Sequence, residues 1–217
     1  MAFYNSDNLD ETYSIISRAY NLTANDCVRI KETLEKIVPD MDNHWKSSDA
    51  SVQKNNIGRM CQGLGNLIQA LLPILEAAGN SIVDTQEIRK NNGGFGEVGT
   101  RLQHKEITIN QLPEYDEHTP AYTIDDGIEK VIGDFSTCSD DFSKFNSEII
   151  NAADNLLQIW KEGEDRTKLE KALNEYRENS ELYKKTFADL KEKYETNLKP
   201  NLRKVGTSIS GSANYIA

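Results

Sequence analysis

Cys27, Cys61 and Cys138 are the residues best suited to nucleophilic, redox or metal chemistry in this chain. Their spacing argues against all three uses. They form no CxxC or Cys/His cluster, and an odd number cannot close a complete disulfide framework. Each falls on an apolar position of a helical pattern, which predicts buried free thiols. His44, His104 and His118 are scattered, with no nucleophile at a spacing that would pair a general base with it. The acid pairs Asp125-Asp126 and Asp140-Asp141 are sequence neighbours, so on a helix they point about 100° apart and do not converge on one bond. The run "GGFGEVG" at 93–99 has the glycines of a phosphate loop. It lacks the following lysine–serine/threonine pair and a preceding apolar strand, so it reads as a turn. No catalytic residue, cofactor or metal site is expected, and the chain reads as a binding protein.

Charge and hydropathy narrow the class of partner. The net charge of -10 comes without any basic stripe that could track a phosphate backbone, which argues against nucleic acid. The longest apolar patch, "LIQALLPILEAA" from Leu67, is too short to span a bilayer and predicts a buried helix face. The first residues, "MAFYNSDNLDETY", lack a basic segment followed by an apolar one, so an ordinary secretory signal is not expected.

The elements that must position any site are helices. Leu9, Tyr13, Ile16, Tyr20, Thr23, Cys27, Ile30, Leu34, Ile37, Met41 and Trp45 follow one another at alternating steps of three and four, the narrow stripe of a bundle helix. A second stripe runs through Ile128, Val131, Phe135, Cys138, Phe142, Phe145, Ile149, Ala152, Leu156 and Trp160. One constant offset superposes it on the first from Tyr13 onward, aligning both tryptophans of the chain and the lysines after them, Lys46 and Lys161. That pattern supports an internal repeat. A third stripe (Ile57, Cys61, Leu64, Ile68, Leu71, Leu75, Ala78, Ile82) contains Pro73, where a kink or local break is expected. A fourth begins after Gly163 with Leu173, Tyr176, Tyr183, Phe187 and Leu190, its phenol hydroxyls expected at the bundle edge. The fold class that follows is all-α: an elongated four-helix bundle of two helix-turn-helix hairpins, 1–88 and 127–217. Residues 89–126 form an irregular linker, with alternation at Glu106-Ile107-Thr108-Ile109 that predicts a short β segment, placed across or hanging from one bundle end.

A hairpin of this length with tryptophan at its turn resembles the WXG100 family, small helical proteins exported by type VII (ESX-like) secretion systems of Gram-positive bacteria. The chain looks like two such units fused, so that one polypeptide supplies a pair that the family usually builds by dimerisation. Trp45 and Trp160 match the motif tryptophan. The small residue that should follow is degenerate in both copies: Trp45-Lys46-Ser47-Ser48 has serine, and in Trp160-Lys161-Glu162-Gly163 the glycine is displaced by one. The family's export signal adds a YxxxD/E motif in the tail of a unit. The one match here, Tyr122 to Asp126, lies between the units. The resemblance therefore implies a non-enzymatic secretion substrate or adaptor. It would pack against an LXG-type toxin or another WXG100-like protein and engage the secretion ATPase, residing in the cytoplasm before export. Alone, the chain is expected to be a monomeric pseudo-dimer. The alternative is a membrane-active bundle in which "LIQALLPILEAAG" swings out at Pro73.

Overall fold

A computed structural model describes residues 8–46, 48–116, 123–160, 163–193, 195–196 and 199–200. It is an all-α bundle. The first rod is built from α1 (Leu9–Asn21), a π-helical turn (Leu22–Cys27) and α2 (Val28–His44). After β1 (Trp45–Lys46) comes α3 (Ser48–Asn91), the longest helix described. A long connection leads to β2 (Thr123–Ile124), followed by α4 (Gly127–Ile159) and α5 (Glu164–Lys193).

The predicted stripes are the interior. Leu9, Ile16, Ile30, Leu34 and Ile37 of the first rod are buried, as are Ile57, Cys61, Leu64, Ile68, Leu71 and Leu75 of α3. Ile128, Phe142, Ile149 and Leu156 of α4 and Leu173, Tyr176 and Phe187 of α5 complete a single core. The apolar run from Leu67 is part of this core face, and no described helix is long and apolar enough to cross a membrane. The first rod packs between α3 and α4, and α5 packs between the same two helices from the opposite corner. Arg18–Glu148 at 2.5 Å and Arg29–Asp141 at 3.0 Å run the first rod antiparallel to α4. Phe135 and Phe142 stack on Phe187 at ring-centroid separations of 5.0 and 5.7 Å, joining α4 to an antiparallel α5. Every neighbouring pair is thus antiparallel, and the two hairpins pair with each other.

Two expectations change and a third narrows. Of the kink or local break expected at Pro73, the break does not occur, since α3 carries through without ending. The ring removes one backbone bond, but Leu71, Leu72 and Leu75 around it are buried, and their packing outweighs that loss. The phenol of Tyr176 does not reach the bundle edge. It is buried, with no hydrogen-bond partner among the described residues, because its ring sits beside Cys27 in the interior. The other change concerns the linker. The short strand falls at Thr123–Ile124, not at 106–109, and pairs antiparallel with Trp45–Lys46. Residues 106–109 carry no strand assignment and pair with no strand among the described residues. The linker neither spans nor hangs from one end; it runs down the side of the bundle.

Both tryptophans are plugs. Trp45 and Trp160 are 4% and 5% exposed, each capping its helix in an extended conformation. Their amides bond back to Met41 and Leu156, positions related by the same sequence offset as the tryptophans. Replacing either indole with alanine should therefore cost about 3–5 kcal/mol in denaturant unfolding, against less than about 0.5 kcal/mol for Lys46→Ala on the exposed edge of β1.

Candidate functional site: a helical groove filled by an extended strap

The tryptophan turns lie at opposite ends of the bundle and are closed differently. At the first, Asp125 N–H donates to the His44 carbonyl at 3.1 Å, and Asp125 Oδ1 lies 2.7 Å from His44 Nδ1. The same carboxylate accepts the Gly127 N–H at 2.8 Å, satisfying a donor at the start of α4, while the motif residue Asp126, at the N-cap position, is exposed. At the second, Arg166 Nε donates to the Trp160 carbonyl at 2.8 Å, and Gly163 turns the chain at φ +129°, a conformation that favours glycine. Lys46 is exposed beside Trp45. Ser47, Lys161 and Tyr122 lie outside the described residues. The turn residues do not converge on one site.

What does converge lies along α3. Residues 97–116 run as an extended strap in the groove between the first rod and α3. Among the described residues, this strap makes no backbone-to-backbone hydrogen bond. Its peptide groups are gripped by side chains instead. Asn80 both donates to the Leu102 carbonyl (3.0 Å) and accepts the Leu102 N–H (2.8 Å). Asn55 grips Tyr115 in the same two-point manner, at 2.9 Å for each bond. Between these clamps Gln69 donates to the Ile107 carbonyl at 2.9 Å, and above them Gln86 accepts the Gly99 N–H at 2.9 Å. From the first rod, the hydroxyls of Tyr13 and Tyr20 donate to the carbonyls of Thr100 and Gln103. Burial raises the Tyr20 pKa further, so its proton stays in place for that bond. Lys105 donates to the Ala24 carbonyl within the π-helical turn and to Asn25 Oδ1 at 3.0 Å.

The match is metric. Between the two asparagine clamps α3 advances about 37 Å at ~1.5 Å per residue. The strap covers that span in the 13 residue steps from Leu102 to Tyr115, about 2.9 Å each and close to the roughly 3.1–3.3 Å of an extended chain. One strap residue thus passes about two helical residues, and inward-facing positions meet α3 about one heptad apart. Glycines mark those meetings. A Cβ on Gly79 would lie 2.5 Å from the Leu102 side chain, and one on Gly65 would lie 2.8 Å from Ile109. Gly58 faces Leu112. The groove exists because these helix positions lack a side chain.

Two buried cations sit beneath the strap. Lys54, fully buried, reaches Asp42 Oδ1 at 2.5 Å, and its ammonium lies 4.3 Å from the centroid of the Tyr115 ring. Lys31, 2% exposed, pairs with Glu35 at 2.7 Å, and the other Glu35 oxygen accepts Asn110 Nδ2 at 3.1 Å. Strap residues therefore complete the surroundings of both pairs. Burying such pairs removes hydration that their mutual attraction repays only in good geometry.

Cysteine chemistry finds no setting here. All three thiols are free and buried, which pushes Cys27 and Cys61 up to about 12 and Cys138 to about 11. Among the described residues no cluster of three or more His, Cys, Asp or Glu could hold a metal. No family model matches the chain, and no curated protein or solved structure shows significant similarity to it.

Sequence reasoning missed the strap groove, although a signal was present. Asn55, Gly58, Gly65, Gln69, Gly79 and Gln86 form a second stripe on α3, amide and glycine in place of apolar, beside the core stripe. Two predictions test its role. Gly65→Ala should leave global stability within about 1 kcal/mol, since better helix propensity offsets the displaced Ile109. It should nevertheless accelerate amide exchange selectively in 105–112. At the upper end, Asp10 accepts Arg89 Nη2 (2.7 Å) and Gln86 Nε2 (2.8 Å), orienting the side chains that meet Glu97 and Gly99. The hydrogen bond from Arg89 is the largest influence holding the Asp10 carboxyl below its usual range. That contribution is present above the ordinary carboxylate pKa and lost as pH falls through the depressed one. Asp10→Asn should destabilise by less than about 1 kcal/mol at pH 7, the carboxylate being half exposed, and the difference should shrink in acid unfolding as pH falls below the ordinary carboxylate range.

Proposed function

We propose that this chain is a non-enzymatic helical binding protein of type VII secretion, acting as an adaptor or co-exported partner. The observation that supports this reading is the antiparallel pairing of the two tryptophan-turn hairpins within one polypeptide. A fused WXG100-like pair would have this organisation, with its dimer contact internal and its outer faces left for another protein. The partner would be an LXG-type toxin or another WXG100-like protein, met by helix packing before the secretion ATPase acts. Val52 and Leu182, both more than half exposed on α3 and α5, are apolar points on that outer surface. With the indoles buried, Trp45 and Trp160 would contribute by shaping the two turns, and Lys46 and Gly163 by presenting them.

The reading is tested in a host carrying the secretion system, by blotting supernatant and cells with and without its ATPase. ATPase-dependent appearance outside the cell is expected. Retention in both strains, together with no toxin or WXG100-like protein recovered on affinity purification of the chain, would overturn it.

A further inference from the structure

We propose that the groove between the first rod and α3 is a receptor site for an extended peptide segment of a protein partner, filled in the free chain by residues 97–116. The inference deepens the binding-protein reading and rests on it only for the existence of a partner.

A connector needs length alone. The 92–122 connection would reach roughly 100 Å fully extended, against about 66 Å for the whole of α3. The chain does more than cross this distance. It builds a backbone-reading surface: two two-point asparagine clamps, two glutamine contacts and two tyrosine hydroxyls, each addressed to a peptide N–H or carbonyl of the strap. Contacts of this kind ignore side-chain identity, so the same groups would grip any chain in the same extended form. Selectivity would come from the glycine notches. They call for aliphatic side chains at the spacing of Leu102, Ile109 and Leu112, with an aromatic residue three further on to cover the Lys54 ammonium.

The resident strap is built to leave. Of its side chains only Leu102 is buried, while Val98, Lys105, Ile107, Ile109, Leu112 and Tyr115 are partly so. Its upper end joins α3 through an exposed turn in which Gly93 and Gly96 have φ of +79° and +122°, and Phe95 is 95% exposed. Release would rehydrate the Lys54–Asp42 and Lys31–Glu35 pairs, offsetting part of the lost contact. Segments with few buried apolar groups and no backbone ladder open locally while the bundle stays folded.

The experiment uses the full chain and a fluorescein-labelled synthetic peptide of residues 97–116, followed by anisotropy. Leu102→Asp with Ile109→Asp removes the strap's anchors without touching the groove. This double variant should bind the peptide at least ~10-fold more tightly than the wild type, whose tethered strap competes at an effective concentration on the order of millimolar. Adding Gly65→Leu should abolish the gain. A double variant with wild-type helicity but no tighter binding, or a gain that survives Gly65→Leu, would overturn the proposal. Should the double variant lose its helicity, hydrogen exchange on the wild type decides. Amides of Gly99, Leu102 and Tyr115 should exchange at least ~100-fold faster than those of Ile68 and Leu71, and equal protection would mark the strap as a fixed crossover. None of these readouts depends on secretion, so a failed export assay and a failed peptide assay point to different errors.

Discussion

Antiparallel packing of the second hairpin against the first is the constraint from which the rest of this molecule follows. α3 finishes at one end of the bundle, whereas α4 must begin at the other to run against the first rod. A short loop cannot connect those points. The chain has to travel the length of the bundle with no helix to carry it, and its backbone groups need partners along the way. The strap and its side-chain clamps solve that problem, and the two-residue ladder of β1 with β2 closes it beside Trp45.

α3 bears the consequence. Its apolar stripe belongs to the common core, while the neighbouring stripe of Asn, Gln and Gly holds the strap. Glycine inside a helix costs up to about 1 kcal/mol against alanine, so three such positions facing the strap represent stability given up for space. The first rod contributes in a complementary way. Its π-helical turn brings the Ala24 carbonyl to Lys105, and its tyrosines reach the strap from the other wall. Wide helical turns of this kind recur where a helix is adapted to a contact beyond its own ladder.

Polar groups are also placed inside. Asn146 is fully buried on α4, with neither amide atom paired among the described residues, and Ser180 interrupts the apolar stripe of α5. Buried amides in bundle cores can disfavour alternative registers at some cost in stability. Together with Lys31 and Lys54, they give the interior more polar character than the four stripes suggest.

The stripes, the hairpin ends at the two tryptophans and the all-α class were legible because helical burial repeats every three or four residues, and that period is a local property. Helical spacing likewise placed the cysteines on core positions, where they are buried. The strap was not legible. Its partners lie far away in sequence, so Asn55 with Tyr115 or Asn80 with Leu102 leave no local period, and glycines in a helix look like weak points until something is packed on them. The alternation at 106–109 was real, yet it marked one face turned toward a helix rather than a strand in a sheet. The fate of the Tyr176 hydroxyl and of Pro73 was likewise set by neighbours. The sequence alone determined which faces seek a core, because hydrophobic spacing is read along one helix. Only the tertiary structure decided where the chain crosses, which glycines form a groove and which polar groups fill it, because those depend on how separate helices are brought side by side.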